Sequence, residues 1–430
     1  MTTTSNDSDD PQRLMLLLPS ATYRSDFIDA AESLGVEVVV ASNAPQAMAV
    51  EMGDRAIVID FSDLPSSVAA IAALHADSPI HAVVAVDEQG VALAAAASAR
   101  LGFAHNPIAA VEATRDKLHL REALRTGAVS QPDFAAYLPD ASPDSAFDCV
   151  EQVGGFPVVV KPLHLSGSQG VIRVDSAEAL GDVIARVRSI ACAPNDPVLI
   201  ERYVSGHEVA VEGLLRDGML DVLAVFDKPD PLVGPYFEES IYVTPSRVPA
   251  ATLERVTSLI AEAVRALGLV EGPIHAEVRI ESPPGESTSK GDSSTRLWMI
   301  EVAARSIGGL CARTLRFGLG ITLEQIILRH ALAMTLPNLK RERSASGVIM
   351  LPIGHGGILE RVDGLDEARD LPGVRGLEIT VPSGTRVEPL PEGDRYLGFV
   401  FANGESPTAV EQSLRLAGAS IRPVWRTVAL

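Results

Sequence analysis

PIHAEVRI (residues 273–280) and RLWMIEVAARSIGG (residues 296–309) are the two stretches whose reading decides the fold. Residues 273–280 and 296–303 read as paired strands, each with a carboxylate in its middle, Glu277 and Glu301, flanked by apolar neighbours. An uncompensated carboxylate is expensive to bury. Two that face each other want a cation, and magnesium takes hard oxygen ligands that it shares with substrate phosphates, so Glu277 and Glu301 are candidate metal ligands, for magnesium or for manganese in its place. Arg305 follows Glu301 by one helical-turn spacing and precedes Gly308 and Gly309. A guanidinium there can grip an acyl phosphate bidentately while glycines let the chain pass close to a substrate, which marks Arg305, Ser306, Gly308 and Gly309 as substrate-binding candidates, with Arg305 catalytic. The competing reading is a buried Glu–Arg ion pair. His275 is expected to point to the face opposite Glu277, in a structural role.

Upstream, Lys161 ends the apolar strand FPVVVKP (156–162), and LSGSQGV (165–171) follows. Small residues let backbone NH groups approach phosphate oxygens, and a lysine brings mobile positive charge to the same group, so Lys161 and the run Ser166, Gly167, Ser168, Gln169, Gly170 are phosphate-binding candidates. An ordinary hairpin turn is the alternative for SGSQG. In VLIERYVSGHEVAVEG (198–213), a strand runs into a turn at Ser205 and Gly206. A strand edge can pair with an adenine, and a following carboxylate can accept ribose hydroxyls, roles that suit Glu201, Tyr203, Val204 and Glu208. Taken alone, the motif also fits a surface hairpin with solvated glutamates.

Short apolar strands at 14–19, 36–41 and 81–86 alternate with a helix at 25–34, which implies a small parallel α/β domain. Asp87 and Glu88 follow the last of these strands and read as a helix N-terminal turn. A helix spans 107–126, residues 208–215 alternate like a half-exposed antiparallel strand, 251–267 is an amphipathic helix, and short strands from about 347 to 425 form a further unit. The Ser/Gly/Pro-rich stretch 282–295 reads as a loop outside the chemistry.

Composition sets the bounds. At 430 residues and 47% hydrophobic, the chain exceeds what one core accommodates, and roughly two to four packed units are expected. A net charge of −20 repels nucleic acid and anionic membranes as bulk partners but leaves open a local nucleotide site. The three cysteines, Cys149, Cys192 and Cys311, form no CxxC pair, which fits a reducing cytoplasm better than a zinc clamp or redox dithiol. The start, MTTTSNDSDD, lacks the features of a secretory signal and reads as a disordered tail. The Ala-rich run 91–99 falls short of the about 20 apolar residues a bilayer needs and reads as a buried helix.

In order along the chain, these features resemble the ATP-grasp superfamily from about Leu14 to Pro423. LGFAHNPIAAVEATRDKLHLREAL (101–124) is similar to the segment that enters the ATP-grasp domain, which implies that Lys117 contacts nucleotide phosphates; Lys161 matches the second phosphate lysine, and 166–170 the loop that closes over the triphosphate. ERYVSGHE resembles the adenine and ribose segment, HAE and EVAARSIGG the metal and acyl-phosphate segments. Among subfamilies the chain looks most like L-amino-acid ligases. Ala303 stands where biotin carboxylases and D-alanine ligases carry an asparagine, and FDKPDPLVGPYFEESIYVTPS (226–246) resembles the ligases' substrate-pocket segment, with Lys228 and Tyr242, beside Tyr236 and Glu238, as pocket candidates. The resemblance implies an α/β protein with a tail at 1–12, an N-terminal parallel α/β domain at 13–106, a linking helix at 107–130, a central ATP-grasp fold of antiparallel sheets with a lid at 131–204 and a large part at 205–345, and a mixed α+β cap at 346–430. It further implies ATP and magnesium as cofactors, small carboxylate and amine substrates, an acyl-phosphate intermediate and a homodimer. ATP-dependent carboxylases, purine-pathway ligases and a silent nucleotide-binding protein are the alternatives.

Overall fold

The computed structural model describes residues 12–19, 25–44, 55–191, 193, 195–281 and 295–426. The expected tail, Cys192 and the loop 282–294 lie outside the described residues. The N-terminal strands β1 (Arg13–Leu17), β2 (Glu37–Ser42), β3 (Ala56–Val58) and β4 (Ala82–Ala85) form a parallel sheet in the order β3-β2-β1-β4. Leu14 through Leu17 are buried on both faces of β1, as a parallel sheet covered by helices requires. The Ala-rich run lies within the helix Val91–Leu101 and is largely buried. Among the described residues no helix is long and apolar enough to cross a membrane.

The helix expected over 107–126 is broken in two, Ile108–Arg115 and Lys117–Thr126. Asp116 between them takes an extended backbone, and its carboxylate accepts from the backbone NH groups of Leu118 and His119 at 2.8 and 3.0 Å, an N-cap that a continuous helical pattern conceals. The break puts Lys117 on a first turn, beside the loop that follows Lys161.

β5 (Phe134–Tyr137), β6 (Val158–Lys161), β7 (Ile172–Val174) and β8 (Val198–Arg202) form an antiparallel sheet in the order β5-β8-β6-β7. Its apolar face packs against the helices Pro143–Gln152 and Ala177–Ile190. A larger sheet begins with β9 (His207–Arg216), β10 (Met219–Lys228), β11 (Ile241–Thr244), β12 (Gly272–Glu281) and β13 (Arg296–Ala303). It continues through β14 (Ala345–Leu351), β16 (Val374–Ile379) and β18 (Gly398–Gly404), in the order β13-β12-β9-β10-β11-β14-β18-β16. The C-terminal strands are thus continuous with the central sheet through the β11–β14 pairing, Ile241 opposite Ile349. Only β15 (Gly357–Asp363), β17 (Arg386–Val387) and β19 (Arg422–Arg426) make a separate three-stranded sheet.

The helix Ala250–Leu267 lays Val256, Ile260, Ala263, Val264 and Leu267 against β9, β12 and β13 and ends at Gly268 in the left-handed region. That cover leaves the other face of the same strands for polar side chains. Gly206, at the entry to β9, has φ +114° and would place a Cβ 2.3 Å from the Ile280 carbonyl, so only glycine lets the two backbones pass there.

Candidate active site

A cleft of about 1080 Å³, measured with its open mouth, lies between the small antiparallel sheet and the large one. Lys117, Lys161, Ser166, Gly167, Ser168, Glu201, Tyr203, Val204, Glu208, Glu277 and Glu301 line it together. Gln169, Gly170, Lys228, Tyr242, Arg305, Ser306, Gly308 and Gly309 are not on its wall.

β12 and β13 pair antiparallel with Glu277 directly opposite Glu301. The next partners are Val278 and Met299, so Ile300 is an extra residue, a bulge of the kind that re-aims a neighbouring side chain. Arg121 of the helix Lys117–Thr126 fixes it by donating to the carbonyls of Met299 and Ile300 at 3.0 and 2.9 Å. The same guanidinium pairs through Nε with Glu201 of β8 at 2.6 Å, and Lys161 donates to the other Glu201 oxygen at 2.6 Å. Burial would raise the Glu201 carboxyl, but the two cations outweigh it and hold the group at about 2. Glu201 is 2% exposed, so both its oxygens serve Arg121 and Lys161 rather than standing open to a ribose. Sequence reading passed over Arg121, because nothing in a helical RxxL pattern announces a partner 80 residues away.

Lys117 donates to the Leu165 carbonyl, and its backbone NH to Leu163 at 3.1 Å, so the two lysines and the small-residue loop form one cradle. Burial lowers the Lys117 ammonium, opposed by Glu301 and reinforced by the neighbouring Lys161. Gly167, Ser168 and Gly170 all have positive φ, from 60° to 70°. The far end of the loop docks on the C-terminal region. The Gly170 NH donates to Pro391 at 2.9 Å, Gln169 Nε2 to the Glu392 carbonyl at 2.8 Å, and Arg186 holds the Glu392 carboxylate at 2.7 and 2.9 Å.

Three carboxylates of the wall, Glu208, Glu239 and Glu277, meet a lysine behind it. Lys228 is 4% exposed, and its ammonium donates to Glu208 and Glu277 at 2.7 Å each and to Glu239. Those three carboxylates converge closely enough to hold a metal ion, but the cation among them is the protein's own. Burial works against the Lys228 ammonium, yet Glu208, Glu239 and Glu277 hold it well above its usual value. Tyr242 is buried with its hydroxyl on Glu239 at 2.6 Å. Lys228 and Tyr242, taken from the sequence as pocket walls, are therefore internal supports, because all their polar hydrogens are used within the cluster. Glu208 likewise has one oxygen on Lys228 and the other on Arg279 at 2.6 Å, a pairing that competes with any ribose.

His275 shares a face with Glu277, contrary to the expectation from sequence, since residues two apart on a strand point the same way. Its Nε2 lies 3.5 Å from Glu277 and its Nδ1 is hydrogen-bonded to Glu212. Burial would lower the imidazole, but Glu212 and Glu277 raise it to about 9. Glu212, on β9, also accepts the Ile307 NH at 3.0 Å, which ties β9 to the turn after Arg305.

Arg305 Nε donates to Glu88 at 2.8 Å, and its Nη1 to the Ser306 carbonyl at 3.0 Å. Glu88 therefore does more than favour a helix dipole: it lines the cleft and joins the N-terminal unit to the arginine. Gly308 has open space where a Cβ would stand, whereas at Gly309, with φ +59°, a Cβ would meet the Phe399 ring at 2.9 Å. Packing alone thus requires glycine at 309. Among the described residues no side chain pairs with the Glu301 carboxylate, which sits in the fields of Lys117 and Arg305. With Glu277 opposite, it presents the hard oxygen donors that magnesium takes, and the residues fit that ion. Ala303 is buried and offers no ligand.

Comparison with known proteins bears on the domains that carry this site. Models of an ATP-grasp N-terminal domain, an ATP-grasp domain and an L-amino acid ligase C-terminal domain 2 match residues 28–105, 154–314 and 349–426. The alanine–anticapsin ligase of Bacillus subtilis (strain 168) is 24% identical over 278 residues, 57% of this chain and 53% of that protein. The uncharacterized protein y4rH of Sinorhizobium fredii is 24% identical over 316 residues, 72% and 61% of the two chains. The chain thus spans little more than half the length of the curated relatives it matches. Among solved structures, an L-amino acid ligase from Bacillus licheniformis superposes with a TM-score of 0.79 at 23% identity, covering 97% of this chain and 99% of that one. An N5-carboxyaminoimidazole ribonucleotide synthetase from Thermotoga maritima gives 0.69 at 17%, covering 96% and 100%. The chain belongs to the ATP-grasp superfamily, whose fold binds ATP. Its residues 349–426 match the C-terminal domain 2 of L-amino acid ligases.

Proposed function

We propose that the protein is an ATP-dependent ligase that joins the carboxylate of an amino acid to an amine through an acyl phosphate, releasing ADP and phosphate. The observation that carries this reading is the placement of Glu277 opposite Glu301, in one cleft with Lys117 and Lys161, four residues before an arginine held by Glu88 of the same cleft. Lys117 and Lys161 draw the triphosphate into line, so that the substrate carboxylate attacks the γ-phosphorus with positioning and charge neutralisation supplying most of the rate. Magnesium held by Glu277 and Glu301 would neutralise phosphate charge. Arg305 then steadies the carbonyl oxygen as the amine attacks, and the loop 166–170, docked on Pro391 and Glu392, excludes water from the acyl phosphate.

The C-terminal match to L-amino acid ligases supports amino acids as the substrate class, and the buried Ala303 speaks against carboxylase kinship. The test is phosphate release over a matrix of amino acids and small carboxylic acids, singly and in pairs, with mass spectrometry of products. Amide product formed in step with ADP is expected, and bicarbonate-dependent ADP release would overturn the reading.

A further inference from the structure

Glu88 lies just beyond β4 in the N-terminal unit, yet its Oε2 accepts from Nε of Arg305, 217 residues later in the chain, at 2.8 Å. Arg305 Nη1 turns back on the Ser306 carbonyl at 3.0 Å. A guanidinium is planar, so two bonds fix its orientation and leave Nη2 as the nitrogen with no hydrogen bond among the described residues. The other oxygen of Glu88, Oε1, is buried without a hydrogen-bond partner, and so is Arg115 Nε, 4.0 Å away. A donor and an acceptor of opposite charge at that separation close into a hydrogen bond on a movement of about 1 Å. Arg115 ends the helix Ile108–Arg115, and Lys117 opens the next. Glu88 therefore stands between the segment bearing the phosphate lysine and the arginine at the acyl end. Its neighbour Asp87 does the ordinary work of the turn, accepting the Gln89 NH at 3.0 Å.

We propose that Glu88 is a positioning residue for amide-bond formation: it holds the Arg305 guanidinium by its Nε edge so that Nη2 faces the acyl carbonyl. The inference rests on the ligase reading above. In the step concerned, the amine nitrogen bonds to the acyl carbon, the carbon–oxygen bond to phosphate breaks, and phosphate leaves with the bonding pair. The proton lost by nitrogen passes to the phosphate or to water. Glu88 transfers none; it keeps Arg305 aimed while negative charge gathers on the carbonyl oxygen. Phosphorylation of the carboxylate precedes this and depends on the lysines, so Glu88 acts on the second half-reaction.

The test compares Glu88→Ala and Glu88→Gln with wild type on the amino-acid pair that wild type uses, following ADP and amide separately. Losing a hydrogen bond to a charged group predicts amide formation about 30-fold slower in Glu88→Ala, with the KM for ATP changed by less than about 2-fold. ADP formed per amide rises as acyl phosphate is lost to water. Glutamine retains an acceptor oxygen for Arg305 Nε, so Glu88→Gln recovers to within about 3-fold of wild type. Glu88→Ala with wild-type rate and coupling overturns the assignment, and so does Glu88→Gln as impaired as Glu88→Ala. A wild-type protein that couples no amide to ADP release overturns the ligase reading itself and this role with it.

Discussion

Glu277 and Glu301 are direct cross-strand partners, with the bulge at Ile300 beside them. Like charges placed directly opposite destabilise a sheet; here Lys228 and His275 offset Glu277, while Glu301 has only the fields of Lys117 and Arg305. Glu301→Gln removes the repulsion without removing volume. It also removes the attraction to Lys117 and Arg305, so without nucleotide its stability is expected within about 1 kcal/mol of wild type, while ATP-dependent ADP release falls on the order of 100-fold or more. Thermal unfolding and an ADP assay on one preparation check both halves. Unimpaired turnover would remove Glu301 from the site.

Lys228 offers a contrasting case. As the cation shared by Glu208, Glu239 and Glu277, it supports structure before any substrate arrives. Lys228→Met leaves Glu239 with no cation and Glu208 and Glu277 with only Arg279 and His275, and a loss of about 3–5 kcal/mol is expected. Urea unfolding without ligands measures it. A variant of wild-type stability that fails only in turnover would return Lys228 to the substrate.

Glu201 makes a pH prediction. Its carboxyl is held down at about 2 in the folded chain, against an ordinary value of 4.5. A depressed folded pKa contributes stability that is present above the unfolded value and lost as pH falls toward the folded one. The window is therefore pH 4.5 down to about 2, and the contribution at neutral pH is roughly 3 kcal/mol. Glu201→Gln should unfold at lower urea than wild type at pH 7, with the gap closing as the pH is lowered through that window. A constant gap would contradict the ion-pair account.

Much of this was legible in the sequence, and the limits are physical. The strand carboxylates, Lys161 and the small-residue loop lie in short contiguous motifs, Lys117 followed only from the family resemblance, and the structure places all of them except Gln169 and Gly170 in one cleft. Arg121, Arg279 and Glu88 went unread, or were read as ordinary turn chemistry, because each acts on partners 80, 71 and 217 residues distant. No spacing rule reports contacts made across separate elements. The same blindness turned Lys228 and Tyr242 into pocket walls, since the motif around them is local while the carboxylates they serve come from β9, β12 and Glu239. His275 was a different error, a misapplied period-two rule. The C-terminal strands looked like a unit of their own because sequence shows strands but not which sheet they join.

Gly309 illustrates a residue kept for packing. With φ +59° and Phe399 at 2.9 Å from a would-be Cβ, Gly309→Ala is expected to lose about 1–3 kcal/mol from overpacking and strain. Gly308→Ala, with open space around it, should stay within about 0.5 kcal/mol. Any loss of amide formation at 308 would then report on substrate approach, and equal stability losses at both positions would contradict the packing argument.

The most direct test of the central claim uses a carboxylate substrate labelled with oxygen-18 in both oxygens. Attack of that carboxylate on the γ-phosphorus, followed by amine displacement, transfers one labelled oxygen to the released phosphate. The account predicts inorganic phosphate carrying one oxygen-18 in step with ADP and amide. Label found in AMP, or phosphate released without label as amide forms, would contradict it.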